Sequence, residues 1–102
     1  MDIILPKDKC PNPVAVLRSA GYGYSVDPVT KEDSWMIRLT AGLYPRFHLY
    51  VEDKGDKVKF SLHLDQKKAS YGGNHAHNAE YDGKNVAHEI TRIESWIRAG
   101  NR

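Results

Sequence analysis

The sequence predicts one α+β domain, in which an antiparallel sheet of three to four strands carries a short N-terminal helix and a long C-terminal helix on one face. Apolar and polar residues alternate along 47–51 and 58–64, with a turn-forming segment between them. A helix start signal precedes this pattern, and an apolar stripe of helical period follows it near the chain end. Because 102 residues cannot bury two cores, we expect a single domain over 1–102.

The first helix is predicted to begin at Asn12-Pro13, because asparagine is a favoured N-cap and proline fits the first turn. Gly21 is expected to end it. The residues predicted to face the core are Val14, Leu17 and Ala20. Around this helix, 3–5 and 22–26 are candidate short strands. Residues 34–40 form a stronger candidate strand, with Trp35, Ile37 and Leu39 on one face.

The clearest signal is a hairpin over 47–65, whose loop is predicted to span the four residues 53–56. This loop pairs Val51 with Val58, so that the apolar residues of both strands share one face. The other face then carries the polar residues of the hairpin: Arg46, His48, Tyr50, Glu52, Lys57, Lys59, Ser61, His63 and Asp65. We expect His48 to be a sheet-surface residue that can join His63, because their strands pair.

The C-terminal helix is predicted to start with Asp82 as its cap and to run to about Ala99, before Gly100. Its buried stripe is expected to be formed by Val86, Ile90, Ile93 and Ile97. His88 and Glu89 are predicted to face solvent, where Glu94 and Arg98 also form a pair four residues apart.

Composition excludes several classes of protein. The hydrophobic share of 40% and charged share of 27% are typical of a globular domain, and the net charge of +2 alone does not predict nucleic-acid binding. No apolar run is long enough to span a membrane, and the N-terminus lacks the features of a signal peptide. Cys10, the only cysteine, excludes an internal disulfide and a cysteine-cluster zinc site. We therefore expect a cytoplasmic protein.

Chemically able side chains are concentrated in 60–81, which begin as the third strand and continue as a polar loop over 66–78. Residues two apart in a strand share a face, so His63 and Asp65 point to the same side, and His75 and His77 do so if their segment is extended. This set suits zinc or another divalent metal, although such residues are also typical of an ordinary polar surface. The predicted metal ligands are His63, Asp65, His75 and His77.

Other residues near this site are candidates for ligand binding: Arg46, Lys67, Lys68, Tyr71 and Glu80. Lys67 would supply positive charge, and Tyr71 and Glu80 would support the site. An alternative function is phosphate or nucleic-acid binding by the cations of the sheet face and loop, with two tyrosines available for stacking: Arg38, Arg46, Lys59, Lys67, Lys68, Tyr50 and Tyr71. A third alternative is a protein-interaction or structural module without chemistry. Ser61 beside His63 lacks the strained turn of a nucleophile.

Two motifs resemble those of nucleic-acid proteins. Asp65-Gln66-Lys67 is similar to the carboxylate–any residue–lysine motif of restriction-endonuclease-type nucleases, which implies metal-dependent phosphodiester cleavage. The second acidic residue of that family would fall at 44–46, where this chain has Tyr-Pro-Arg, so a metal ligand is missing. Lys67-Lys68-Ala69 resembles the lysine pair of double-stranded-RNA-binding domains. In that family the lysines begin the last helix, whereas here the two glycines at 72–73 and a polar loop intervene.

Three stretches, YPRFHLY, FSLHLDQKK and AHNAEYDG, resemble a family of short uncharacterised bacterial proteins. The resemblance covers 35–96 and implies no activity. The sequence thus predicts a small cytoplasmic protein with a His/Asp/Lys polar site at the end of the third strand. It leaves open whether the protein is an enzyme, what its substrate and partners are, and whether it forms a homo-oligomer.

Overall fold

The structure, a computed structural model, describes residues 1–66 and 83–99 together with the backbone of 79–80. Its main feature is an antiparallel sheet of five strands in the spatial order β1-β5-β4-β3-β2. The strands are β1 (Asp2–Pro6), β2 (Gly23–Val26), β3 (Asp33–Arg38), β4 (Arg46–Asp53) and β5 (Lys57–Asp65). A two-residue strand, β6 (Ala79–Glu80), pairs with the end of β5. The helices are α1 (Pro13–Ser19) and α2 (Lys84–Arg98), and a 3-10 turn covers Lys7–Lys9.

The α+β class is confirmed, but the expected number of three to four strands is wrong. Both outer strands, β1 and β2, are short and largely exposed, so their alternation of apolar and polar residues is weak. The third strand of the chain, β3, ends at Arg38. Leu39 therefore lies in the following connection, where it is exposed rather than on the apolar face.

The β4–β5 hairpin has the expected faces but a different register. Val51 lies opposite Phe60 instead of Val58, which moves every cross-strand pair by two residues. Because side chains alternate with a period of two, this change leaves each residue on its expected face. It changes the neighbours, however, and places His48 directly opposite His63.

The turn between the two strands explains this register. The backbone N–H of Lys54 donates to the carbonyl oxygen of Lys57 at 2.8 Å, which leaves only Gly55 and Asp56 in the loop. Gly55 has a φ of 86°, a conformation that glycine adopts readily at the first position of a two-residue hairpin turn. The hairpin is therefore tighter than the four-residue loop that the sequence suggested.

The apolar core lies between one face of the sheet and the two helices. Its buried residues include Leu49, Val58, Phe60, Leu62 and Leu64 from the hairpin, Val16 and Leu17 from α1, and Val86, Ile90 and Ile93 from α2. Each fully buried side chain of this size stabilises the fold by roughly 1.5–3 kcal/mol relative to an exposed one. The apolar stripe of α2 is confirmed, with Ile97 partly buried at its end.

Helix α1 begins and ends as expected but faces the core with different residues. The side chain of Asn12 caps it, and Gly21 follows it with a φ of 101°. Val16 and Leu17 are buried, whereas Val14 is 43% exposed, so the expected core position of Val14 is wrong. In a helix of 3.6 residues per turn, position 14 lies roughly 110° from the centre of the stripe formed by 16, 17 and 20.

Helix α2 begins after Gly83, and the cap expected at Asp82 lies outside the described residues, as does Gly100. None of the helices in the described part of the chain is long and apolar enough to cross a membrane.

Candidate functional site

The polar face of the sheet brings two histidines, an aspartate and an arginine together at the end of β5. His48 lies opposite His63, and Arg46 lies opposite Asp65. Residues two apart in a strand share a face, so all four side chains point to the same side. We call Arg46, His48, His63 and Asp65 the histidine–aspartate cluster.

Asp65 is the centre of this cluster. Its Oδ2 atom lies 3.2 Å from Nδ1 of His48 and 3.1 Å from Nε of Arg46, and its Oδ1 atom lies 2.9 Å from Nε2 of His63. The Asp65 side chain is only 16% exposed. Burial alone would raise the pKa of this carboxyl, but the hydrogen bonds from both imidazoles and from the guanidinium outweigh burial and hold the pKa well below its ordinary value. Asp65 is therefore an ionised acceptor at neutral pH.

The two nitrogens of His48 lie in different environments. Because Asp65 is ionised and accepts only, Nδ1 of His48 carries the hydrogen of their contact. Nε2 is buried and has no hydrogen-bond partner among the described residues. Nearly all buried polar atoms in folded proteins have a partner, so this ring nitrogen calls for one, such as an ordered water, an ion or a ligand. The ring lies 4.9 Å from that of His63, measured between centroids.

Tyr50 and Asp27 extend the polar face beyond the cluster. The Tyr50 ring packs 4.8 Å from the ring of His48, and its hydroxyl donates to Oδ2 of Asp27 at 3.3 Å. Backbone hydrogen bonds from Thr30 and Val29 lower the pKa of Asp27. Burial, followed by the charge of Asp27, raises the pKa of Tyr50 to about 12. Tyr50 thus stays protonated at neutral pH and serves as a donor.

The structure describes two of the four predicted metal ligands, His63 and Asp65, and brings them into contact. The other two, His75 and His77, lie outside the described residues, as do Lys67, Lys68 and Tyr71. Only the backbone of Glu80 is described. It pairs with Leu64, and Ala79 pairs with Asp65, so the chain returns to the cluster directly after 67–78. Arg46, predicted as a ligand-binding residue, belongs to the cluster.

Sequence reasoning underestimated His48 for a clear physical reason. It is 8% exposed rather than a surface residue, and its contact with Asp65 requires the observed register. The expected pairing would have placed His48 opposite Ser61 and Arg46 opposite His63. Gly55-Asp56, a residue pair typical of a two-residue hairpin turn, is the sequence signal that favours the observed pairing.

A second misjudged residue lies on the helical side of the sheet. Glu89 of α2, expected to face solvent, is 7% exposed. It accepts hydrogen bonds from the hydroxyl of Tyr22 and from two nitrogens of Arg92, both at 2.8 Å. Arg92 also donates to the carbonyl oxygen of Ala20. We call Tyr22, Glu89 and Arg92 the Glu89 group, which joins α2 to the chain after α1.

The cations of the alternative nucleic-acid surface do not form one patch within the described residues. Arg38 and Arg46 lie side by side across β3 and β4. Lys59 is six residues from Asp65 along β5, a distance of roughly 20 Å, and its ammonium lies 3.7 Å from the carboxylate of Asp2. The position where nuclease-type sites have a second acid is held by Arg46, opposite Asp65.

No protein-family profile, curated protein or solved structure matches this chain. Any functional conclusion therefore depends on the geometry and charge of the residues themselves.

Proposed function

We propose that the protein binds one divalent transition-metal ion, with zinc the best match, through His48, His63 and Asp65. The observation that carries this proposal is that each residue offers one ligand atom and that these atoms lie within 4.8 Å of one another. All three residues belong to adjacent strands of the sheet, so their backbone positions are fixed by ladder hydrogen bonds rather than by a loop.

The two contacts of Asp65 with the histidines are close to the ligand spacing of a tetrahedral site. Two ligands that each lie about 2.0–2.1 Å from a zinc ion are about 3.3 Å apart. The oxygens of Asp65 lie 3.2 Å from Nδ1 of His48 and 2.9 Å from Nε2 of His63. A metal ion that bound both imidazoles and one carboxylate oxygen would replace these two contacts and draw together ligand atoms that now lie within 4.8 Å of one another.

The charge of the cluster selects the class of metal. One carboxylate and the Arg46 guanidinium cancel, so the cluster without a metal has no net negative charge when both imidazoles are neutral. Calcium and magnesium depend on several oxygen ligands, most of them carboxylates. Neutral imidazoles bind zinc, nickel and copper without that negative charge. We therefore expect zinc-like metals to bind and calcium and magnesium not to compete.

Three protein ligands leave a fourth position of a tetrahedral site open. His75 and His77, which the sequence predicted as ligands, remain candidates for that position. An added histidine would close the site and favour a structural role, whereas water there would favour catalysis. Because the imidazoles bind metal only when neutral, we also expect zinc affinity to fall as the solution is acidified.

The test is metal content and affinity of tag-free protein. After treatment with a chelator, zinc is titrated in competition with a chromophoric chelator, and bound zinc is counted by elemental analysis. We expect one zinc per chain in the wild type and at least a hundredfold weaker binding in His63→Ala. The matched control is His88→Ala, because His88 is an exposed histidine on α2. Absence of stoichiometric zinc, or equal affinity of the two variants, contradicts the proposal.

A further inference from the structure

A cleft of about 600 Å³ adjoins the histidine–aspartate cluster. It lies where the start of β2, the end of β3 and the connection over 39–45 meet, and Arg46 belongs both to its wall and to the cluster. Its volume is within the range of small-molecule sites, which is roughly 300–1,000 Å³. We call it the arginine cleft, because Arg38 and Arg46 both line it.

Both arginines have hydrogen-bond donors that no described residue accepts. Arg38 lies directly opposite Arg46 across the sheet, an arrangement that is unfavourable for like charges. Arg46 donates from Nε to Asp65, but its two terminal nitrogens make no hydrogen bond to the described part of the chain. Arg38 forms no ion pair with any described residue, and it is exposed. Among the described residues the two guanidiniums have one carboxylate partner, Asp65, which pairs with Arg46, so the cleft carries excess positive charge.

Apolar side chains form part of the cleft wall. Met36, Ile37 and Leu43 line it, and Leu43 is 61% exposed. Tyr24, which is 53% exposed, is also among the lining residues. A few convergent polar groups beside apolar walls are the usual composition of a small-molecule site.

We propose that the arginine cleft binds a small phosphate monoester whose organic part is apolar or aromatic. The phosphate would lie between Arg38 and Arg46, and the organic group would pack against Met36 and Leu43. A phosphate monoester carries close to two negative charges at neutral pH and three acceptor oxygens, which matches two guanidinium forks better than a carboxylate does. This inference does not depend on metal binding, because none of its residues is a proposed metal ligand and only Arg46 is shared with the histidine–aspartate cluster.

The test uses phenyl phosphate as the probe, titrated by calorimetry into chelator-treated wild-type protein at low salt. We expect saturable binding that is at least tenfold tighter than that of inorganic phosphate and of benzoate. The comparison with inorganic phosphate measures the contribution of the apolar wall to affinity. The comparison with benzoate measures the preference for phosphate over carboxylate. Because the protein is free of metal, a failed zinc titration would leave this result unaffected.

The variants Arg38→Gln and Lys59→Gln form a matched pair, since both remove a cation from the same sheet face. We expect Arg38→Gln to weaken phenyl phosphate binding at least tenfold and Lys59→Gln to change it less than twofold. Without phosphate, Arg38→Gln should leave the thermal unfolding midpoint unchanged or slightly higher, because it relieves the repulsion between the two arginines. Three results each overturn the proposal. They are no saturable binding, equal effects of the two variants, and affinity for inorganic phosphate or benzoate equal to that for phenyl phosphate.

Discussion

Within 1–66 and 83–99, the buried Glu89 and the largely buried Asp65 each contact an arginine, and they differ in how fully the surrounding polar atoms are paired. Glu89 receives two nitrogens of Arg92 and the hydroxyl of Tyr22, and Arg92 also donates to the backbone. Asp65 receives two imidazoles and one nitrogen of Arg46, and Nε2 of His48 is left without a described partner.

This difference separates a structural group from a candidate binding site. In the Glu89 group an ordinary arginine fork and a hydroxyl satisfy the carboxylate, and Tyr22 lies 67 residues from Glu89 along the chain. Burial and the hydrogen bond to Glu89 raise the pKa of the Tyr22 hydroxyl well above its usual value, so it remains a donor. The histidine–aspartate cluster instead gathers groups that bind metals. A buried carboxylate alone is thus weak evidence for function. The residues that contact it indicate whether its role is structural or in binding.

The largest effect on stability is expected from Glu89→Ala. This change leaves the Tyr22 hydroxyl and the Arg92 guanidinium without their acceptor, which should lower the free energy of unfolding by about 2–3 kcal/mol. The partial exposure of Arg92 keeps the loss in this range. Urea denaturation measures it, and Glu94→Ala, which breaks an exposed pair with Arg98, should change the free energy by less than about 0.5 kcal/mol. Equal losses of unfolding free energy in Glu89→Ala and Glu94→Ala would contradict the structural role of Glu89. A loss of zinc affinity in Glu89→Ala would remove the distinction between the Glu89 group and the histidine–aspartate cluster.

A smaller effect, with a characteristic pH dependence, is expected from Asp65→Asn. The folded protein holds the pKa of Asp65 below its unfolded value of about 3.9, so the stabilisation is present above about pH 4 and is lost as the pH falls below it. We expect Asp65→Asn to lower the free energy of unfolding at pH 7 by roughly 1–2 kcal/mol. The wild type loses free energy of unfolding below pH 4 as Asp65 is protonated, and this part of the loss should be absent in the variant. Denaturation measured from pH 3 to pH 7 tests this, and parallel profiles for the two proteins would contradict it.

The smallest effect is expected from Gly55→Ala, which tests the turn that sets the register. Alanine at a φ of 86° is strained, so the free energy of unfolding should fall by about 1 kcal/mol. Gly42→Ala is the control, because an added Cβ there meets only ordinary contacts and no positive φ is involved. The cluster depends on this register and the Glu89 group does not. If Gly55→Ala lowers zinc affinity as well as stability, the result would further distinguish the histidine–aspartate cluster from the Glu89 group.

The faces of the sheet and the stripe of α2 were predictable, whereas the contacts between elements were not. Alternation shows which side of the hairpin His63 occupies, but registers that differ by two residues bury the same apolar set. The partner of His63 therefore depended on the conformation of Gly55. Glu89 was misjudged because its partner Tyr22 is 67 residues away, and a helical pattern contains no information about such a contact. Val14 was misjudged because a helix of seven residues is too short to define its stripe.

The central claim is that the hairpin register makes His48 a metal ligand together with His63 and Asp65. The most direct measurement is the zinc affinity of His48→Ala, determined by chelator competition on protein whose tryptophan fluorescence and circular dichroism match the wild type. We expect affinity at least a hundredfold weaker than that of the wild type and of His88→Ala. Wild-type affinity in His48→Ala would show that the pairing of His48 with His63 has no part in metal binding, and it would contradict the account.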